Sequence, residues 1–259
     1  MFKNQNKHAL PYSVSQNFLT SRRLIERLII KAGISAQDTV LEIGAGKGHI
    51  TKVLSDSCKT VIAYEIDRKL YESLKPQIAA NVRLYYGDFL KCALPKSPYK
   101  VFANIPFSKT TEILEKLTNA NPLPEAMWLV MENGAAKRFC GVPRDNLHSL
   151  LLKPFFETKI IYHFRREDFH PAPNVDVVLL ELQRKGTPDI QPEQKADFRA
   201  FLSHSLRYGL FGSRALLTKK QISMALRMAK LPPIERSGET LYVQWLCLFR
   251  CWLIYGKRG

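Results

Sequence analysis

The chain has 259 residues, 46% hydrophobic and 24% charged, with 39 Lys and Arg against 23 Asp and Glu and a formal net charge of +16 at pH 7. Composition this close to the globular average excludes a disordered or low-complexity chain, and the length accommodates one medium-sized domain with a small appendage. No apolar run reaches the roughly 18–20 residues of a membrane span, the polar start MFKNQNKH lacks the apolar segment of a signal peptide, and the positive excess favours a polyanionic partner over a neutral metabolite.

In chain order, Leu24, Ile25, Leu28, Ile29 and Ala32 recur at helical spacing and predict an amphipathic helix over 22–32. A β-rich run, 38–43, stops at Gly44-Ala45-Gly46-Lys47-Gly48, after which Ile50, Val53 and Leu54 resume helical spacing. The alternation continues with strands at 60–64, 82–85, 99–103 and 127–131 and helices at 68–79, 110–119 and 134–139. Strands alternating with helices predict a Rossmann-like α/β domain with a mainly parallel sheet covered on both faces. The β-rich runs 159–164 and 177–181, joined by Phe169-His170-Pro171-Ala172-Pro173, predict an antiparallel pair at one edge. The stretch 183–194 gathers Gly, Pro and charge as a linker does, which places a boundary between a domain over 1–184 and a small helical domain over 185–259. There, helices are expected around Phe198–Ser205, after the capping-box spacing Thr218-Lys219-Lys220-Gln221, and from about Glu239 to Tyr255. Residues 181–259 hold 14 basic and 6 acidic groups, a net positive charge density more than twice that of the preceding chain, and this domain is expected to bind RNA. The five cysteines form no C-x-x-C pair, so neither a zinc site nor any other metal is expected.

The glycine turn lies between the first long strand and its helix, where backbone amides can approach a ligand. A Walker A loop would need Gly at position 41 and Ser or Thr at 48, which hold Leu41 and Gly48, and a dinucleotide fingerprint would need Gly at 49, which is His49. What remains, Glu42-x-Gly44-x-Gly46-x-Gly48, is the pattern of S-adenosylmethionine-dependent methyltransferases. Glu65, closing the next strand, is placed to accept both ribose hydroxyls, and Asp88, after the strand beyond it, to accept from an adenine amino group; open α/β sheets bind ligands at such strand ends.

Asn104-Ile105-Pro106-Phe107 follows the fourth strand of this series. The exocyclic amine of adenine is a poor nucleophile because its lone pair is delocalised into the ring. Two acceptors, the Asn104 side-chain oxygen and the Ile105 carbonyl, held rigid by Pro106, would favour a pyramidal nitrogen, and Phe107 offers a flat face for an extruded base.

The sequence resembles the Erm methyltransferases, which modify an adenine N6 in large-subunit ribosomal RNA and are related to the KsgA/Dim1 small-subunit dimethyltransferases. The resemblance is carried by Gln16-Asn17-Phe18-Leu19, Leu41–Gly48, Glu65-Ile66-Asp67, Gly87-Asp88, Asn104–Phe107 and Phe169–Asp176, and it spans Gln16 to Trp252. It implies S-adenosyl-L-methionine as cofactor, with Asn17 and Leu19 closing over it, Gly44, Gly46, Glu65, Ile66 and Asp88 binding it, and Asn104 touching it while gripping the target. It also implies that Phe169 completes a base sandwich with Phe107. The segment Met131–Arg138 resembles the Erm form more than the KsgA form, which favours large-subunit (23S) RNA as the target, expected to be met before full assembly. The family resemblance implies resistance to macrolides, lincosamides and streptogramin B; a monomer is expected, and a cytoplasmic location is expected from the lack of a membrane span and signal peptide. Phe107 stands where the family usually has Tyr, and Asn133 where many members have Lys. Arg22, Arg23, Arg27, Lys109, Lys137, Arg138, Arg165 and Arg166 are candidate phosphate contacts as a group. A KsgA/Dim1-type small-subunit enzyme and a noncatalytic RNA-binding assembly factor are the alternatives, and the number of methyl groups added stays open.

Overall fold

The computed structural model describes residues 17–235 and 239–256, so Gln16 and the polar start of the chain lie outside the described residues. Among the described residues, nine strands form two sheets. The larger is built from β2 (Thr39–Ile43), β3 (Thr60–Glu65), β4 (Val82–Tyr86), β5 (Lys100–Asn104), β6 (Ala126–Glu132), β7 (Phe156–His163) and β9 (Val177–Arg184), in the order β4-β3-β2-β5-β6-β9-β7. The smaller pairs β1 (Phe18–Leu19) antiparallel with β8 (Phe169–His170).

Four parallel pairings, β2 with β3 and β5, β3 with β4, and β5 with β6, carry the predicted α/β architecture. Burial explains the composition of these strands: Val40, Leu41 and Val101 are fully buried, and all of β6 except its last residue is buried. The chain runs outward through β2, β3 and β4 and then returns to place β5 on the other side of β2. That reversal opens a crevice between the C-terminal ends of β2 and β5, the ligand position of open α/β sheets. The later strands also pair as expected. Phe164 N donates to Val177 O (2.9 Å) and Lys185 N to Phe155 O (2.9 Å), bonds whose opposite sequence trends require an antiparallel β7–β9 pair, with β7 at the edge and β9 inside.

Caps fix the helices around the crevice. Ser21 accepts from Leu24 N to start α1 (Arg22–Lys31), which buries Leu24, Ile25, Leu28 and Ile29. Asp67 accepts from Lys69 N and Leu70 N to start α3 (Arg68–Leu74). Between them α2 (His49–Ser57) begins directly at Gly48, and α4 (Thr110–Thr118) follows a 3-10 turn at Phe107–Lys109. Helix α5 (Asn133–Cys140) follows β6.

The chain divides into two compact units: one ends at Ala136 and resumes over Ile160–Leu182, and the other takes Lys137–Lys159 and resumes at Gln183. The second unit thus gathers 137–159, which a boundary drawn at a single sequence position assigns to the first. It contains α6 (Leu147–Leu152), α7 (Lys195–Tyr208), α8 (Lys219–Met228) and α9 (Tyr242–Tyr255). The predicted capping box opens α8, with Gln221 N donating to Thr218 Oγ1 (3.2 Å) and Thr218 N to Gln221 Oε1 (2.8 Å). Phe198, Phe201, Leu248 and Phe249 are fully buried, and the Phe198 and Phe249 rings pack edge to face with centroids 4.9 Å apart. Within this unit the Gly- and Pro-rich stretch is braced rather than loose: Lys185 ion-pairs Asp189 (2.6 Å), and the Tyr242 hydroxyl donates to the same carboxylate (2.7 Å). Among the described residues, no helix is long and apolar enough to cross a membrane, and no cluster of His, Cys, Asp and Glu is arranged to hold a metal ion.

Candidate active site

Sequence geometry at the end of β2 gives the site its floor. Gly44, Gly46 and Gly48 have φ of +76°, +58° and +80°, values that L side chains rarely adopt, so the turn needs glycine at each place. Gly44 N and Ala45 N both donate to Tyr64 O (2.9 and 3.0 Å), locking the turn against β3. A Cβ on Gly44 would point across the floor toward Asn104 O, 4.0 Å away, and one on Gly46 would lie 2.7 Å from Phe18 Cε1.

Glu65 closes β3 and is 2% exposed. Its Oε2 accepts from Gly46 N (2.7 Å) and its Oε1 from Asp67 N (2.7 Å). Burial pushes the Glu65 carboxyl up from the ordinary range, opposed by the amides of Asp67, Gly46 and Ile66. A carboxylate bonded to the turn disfavours a pyrophosphate there and leaves further lone pairs for hydroxyl donors. At the end of β4, Asp88 accepts from Leu90 N (2.9 Å) and caps a 3-10 turn, Phe89–Lys91.

Asn104 closes β5. Its Nδ2 donates to Asn17 O (2.7 Å), which fixes the amide so that Oδ1 is the group available as an acceptor. Pro106, at φ −64°, carries the chain into the 3-10 turn, and the Phe107 carbonyl accepts from the Thr110 hydroxyl (2.9 Å). Phe107 is partly buried and packs against the hydrophobic core.

These groups surround one cleft of about 240 Å³, lined by Asn17, Gly44, Gly46, Glu65, Ile66, Asp88, Asn104, Ile105, Pro106 and Phe107 among others. Two expected residues lie elsewhere. Leu19 (2% exposed) and Phe169 (4% exposed) face each other across the β1–β8 pair and belong to the core, with the Phe169 ring packed edge to face on Phe164 at 5.3 Å. The period of an extended strand explains the first: successive side chains alternate, so Phe18 reaches the cleft and Leu19 turns away. The Phe107–Phe169 sandwich is therefore not assembled here. Phe18, Tyr64, Phe89, Leu90 and Ile113 add an apolar lining that the sequence reading did not assign. Phe18 was within reach of that reading, since it sits in the quoted Asn17-Phe18-Leu19 run. Arg22, a candidate phosphate contact, is held by Glu26 (2.8 Å) and Asp56 (2.9 Å), whereas Arg23 and Arg27 are exposed.

A floor without side chains, two acids at successive strand ends and an apolar wall suit a ligand that joins an amino acid to adenosine without phosphates, which S-adenosylmethionine does. Residues 7–209 match the family described as Ribosomal RNA adenine dimethylase. The chain belongs to that family. An rRNA adenine N-6-methyltransferase of Bacillus licheniformis is 31% identical over 255 residues, covering 95% of this chain and 88% of its own length. An rRNA methyltransferase of Streptomyces thermotolerans is 34% identical over 244 residues, covering 90% and 80%. The crystal structure of the 23S rRNA methyltransferase ErmE superposes with a TM-score of 0.77 at 26% identity, covering 91% of this chain and 99% of that one. The protein is an rRNA adenine N6-methyltransferase of the Erm type, and S-adenosylmethionine dependence comes with membership of the ribosomal RNA adenine dimethylases.

Proposed function

We propose that this ribosomal RNA adenine dimethylase family member methylates N6 of an adenine in large-subunit (23S) ribosomal RNA, before full assembly and as a monomer in the cytoplasm, and thereby blocks macrolide, lincosamide and streptogramin B binding. The observation that carries the reading is the Asn104 amide, pinned by Asn17 O at 2.7 Å on the wall of the same cleft as Glu65 and Asp88. The 23S assignment is supported by the Erm-like segment Met131–Arg138 and by the likeness to ErmE.

Bound S-adenosylmethionine would supply an electrophilic methyl group. Gly44 and Gly46 would leave room for its amino-acid portion, Glu65 would accept from the ribose hydroxyls, Ile66 would pack on the adenosine, and Asp88 would accept from the adenine amine. Asn17 borders the same space. The target adenine, extruded from its RNA, stacks on Phe107. Asn104 Oδ1 and the Ile105 carbonyl accept its two amino hydrogens and direct the nitrogen lone pair toward the methyl carbon, with Pro106 fixing the carbonyl. Attack by the neutral amine needs no general base, since the surplus proton leaves to water afterwards. The chain contributes positioning and fixed dipoles.

The test is labelled methyl transfer to deproteinised 23S RNA, intact large subunits and small subunits in parallel, with the modified base mapped. The reading expects labelling of one adenine N6 in 23S RNA. Labelling confined to small subunits would replace it with the KsgA/Dim1-type reading.

A further inference from the structure

Lys116 lies on α4, outside the lining of the cleft, yet its side chain reaches the loop that follows β4. Its Nζ donates to Phe89 O (2.7 Å), Leu90 O (2.9 Å) and Cys92 O, and it sits 5.0 Å from the centroid of the Phe89 ring. These three carbonyls converge at the C-terminal end of the 3-10 turn whose N-terminal end Asp88 caps. The same loop is tied by Cys92 Sγ donating to Asp88 O (3.2 Å) and by the Tyr64 hydroxyl donating to Ala93 O (3.2 Å).

An ammonium group has three N–H donors, and here all three are spent on one loop, so Lys116 has none left for RNA or for cofactor. Converging carbonyl oxygens repel one another without a cation between them, and these three bonds to Lys116 are partly shielded from water, Phe89 being buried and Leu90 and Cys92 half-buried. Phe89 is 6% exposed, and its ring is held from one side by this cation and from another by Tyr64, whose centroid is 5.9 Å away. Asp88, Phe89 and Leu90 all line the cleft, at the end assigned above to adenine.

We infer that Lys116 is a positioning residue that sets the adenine end of the cofactor cleft, by bracing the carbonyls of the loop that presents Asp88 and Phe89. The inference rests on the assignment of this cleft to S-adenosylmethionine. Its signature is selective. The brace acts on the adenosine portion and stands apart from Asn104 and Phe107, so its loss weakens cofactor binding while leaving transfer from the bound cofactor.

The experiment compares wild type, Lys116→Met and Lys116→Arg. Calorimetric titration uses S-adenosylhomocysteine and 5′-methylthioadenosine, which keeps the adenosine and lacks the amino acid, and steady-state kinetics vary S-adenosylmethionine and RNA separately. Lys116→Met is expected to raise Kd for both ligands about tenfold or more, to raise KM for S-adenosylmethionine in parallel, and to keep kcat at saturation and KM for RNA. Lys116→Arg, which retains the charge, is expected to recover most of the loss. A folded Lys116→Met with wild-type Kd for 5′-methylthioadenosine overturns the inference, as does a fall in kcat with unchanged KM for S-adenosylmethionine. If Lys116→Met does not accumulate as folded protein, Lys116→Gln takes its place under the same criteria. Failure of wild type to bind S-adenosylhomocysteine overturns the cleft assignment itself, and wild-type binding without an effect at Lys116 overturns this inference alone.

Discussion

Glu42 gives the most quantitative prediction, because it is an acid buried inside β2 with 1% exposure, and one of its oxygens, Oε2, has no hydrogen-bond partner. Burial pushes its carboxyl up to about 8, opposed by Thr51 and reinforced by the Glu65 carboxylate. A folded-state value above the unfolded one means that the unfolded chain ionises first as pH rises, so stability is lost between the two values and the loss levels off above about 8. Taking an unfolded value of 4.5, the penalty is roughly 1 kcal/mol at pH 5 and about 4 kcal/mol at pH 8. Glu42→Gln keeps the shape and cannot ionise. Its stability relative to wild type should therefore improve by about 3 kcal/mol from pH 5 to pH 8, a change in the melting-temperature difference of roughly 6–12 °C. Titrating groups that do not interact with Glu42 are common to both proteins and cancel in the comparison. Thermal unfolding of the pair at pH 5, 6.5 and 8 reads this directly. A constant difference between the two proteins, or a Glu42→Gln stability that falls relative to wild type as pH rises, would refute the buried neutral acid.

Gly46→Ala should destabilise the fold by about 1–2 kcal/mol from its positive φ alone, and the new methyl must displace Phe18, so binding of S-adenosylhomocysteine weakens too. Unchanged melting and unchanged titration would remove the steric argument for the turn. Phe107→Ala should lower kcat/KM for RNA roughly ten- to hundredfold through lost stacking of about 1–3 kcal/mol, whereas Phe107→Tyr keeps the flat face and most of the activity. The reverse ranking would show that the ring does not stack on the target base.

The strand–glycine turn–helix unit was legible because its signals are local: an apolar run, three glycines at alternate positions, and helical spacing afterwards. Asn104–Phe107 was legible for a similar reason, since a strand end followed by proline leaves few conformations. Leu19 and Phe169 were misplaced because their positions depend on a two-residue pairing between segments 150 positions apart, and no local pattern announces which side of such a short strand meets the cleft. Helix α6 went unpredicted because its six residues, mostly leucine, are too short to show a helical period. The role of Arg22 was obscured by Asp56, a distant partner that only the fold brings within 2.9 Å. Lys116 reads in sequence as one more solvated helix lysine, and what it binds is main-chain carbonyl, which leaves no trace in residue type.

The geometry of Asn104 is the centre of the account, and Asn104→Ala tests it most directly when methyl transfer to 23S RNA and the Kd for S-adenosylhomocysteine are measured on the same preparation. Loss of transfer by at least about a thousandfold with Kd within roughly tenfold of wild type is the predicted result, since one of two acceptors for the reacting amine is gone while Glu65 and Asp88 remain. Transfer at the wild-type rate would contradict it.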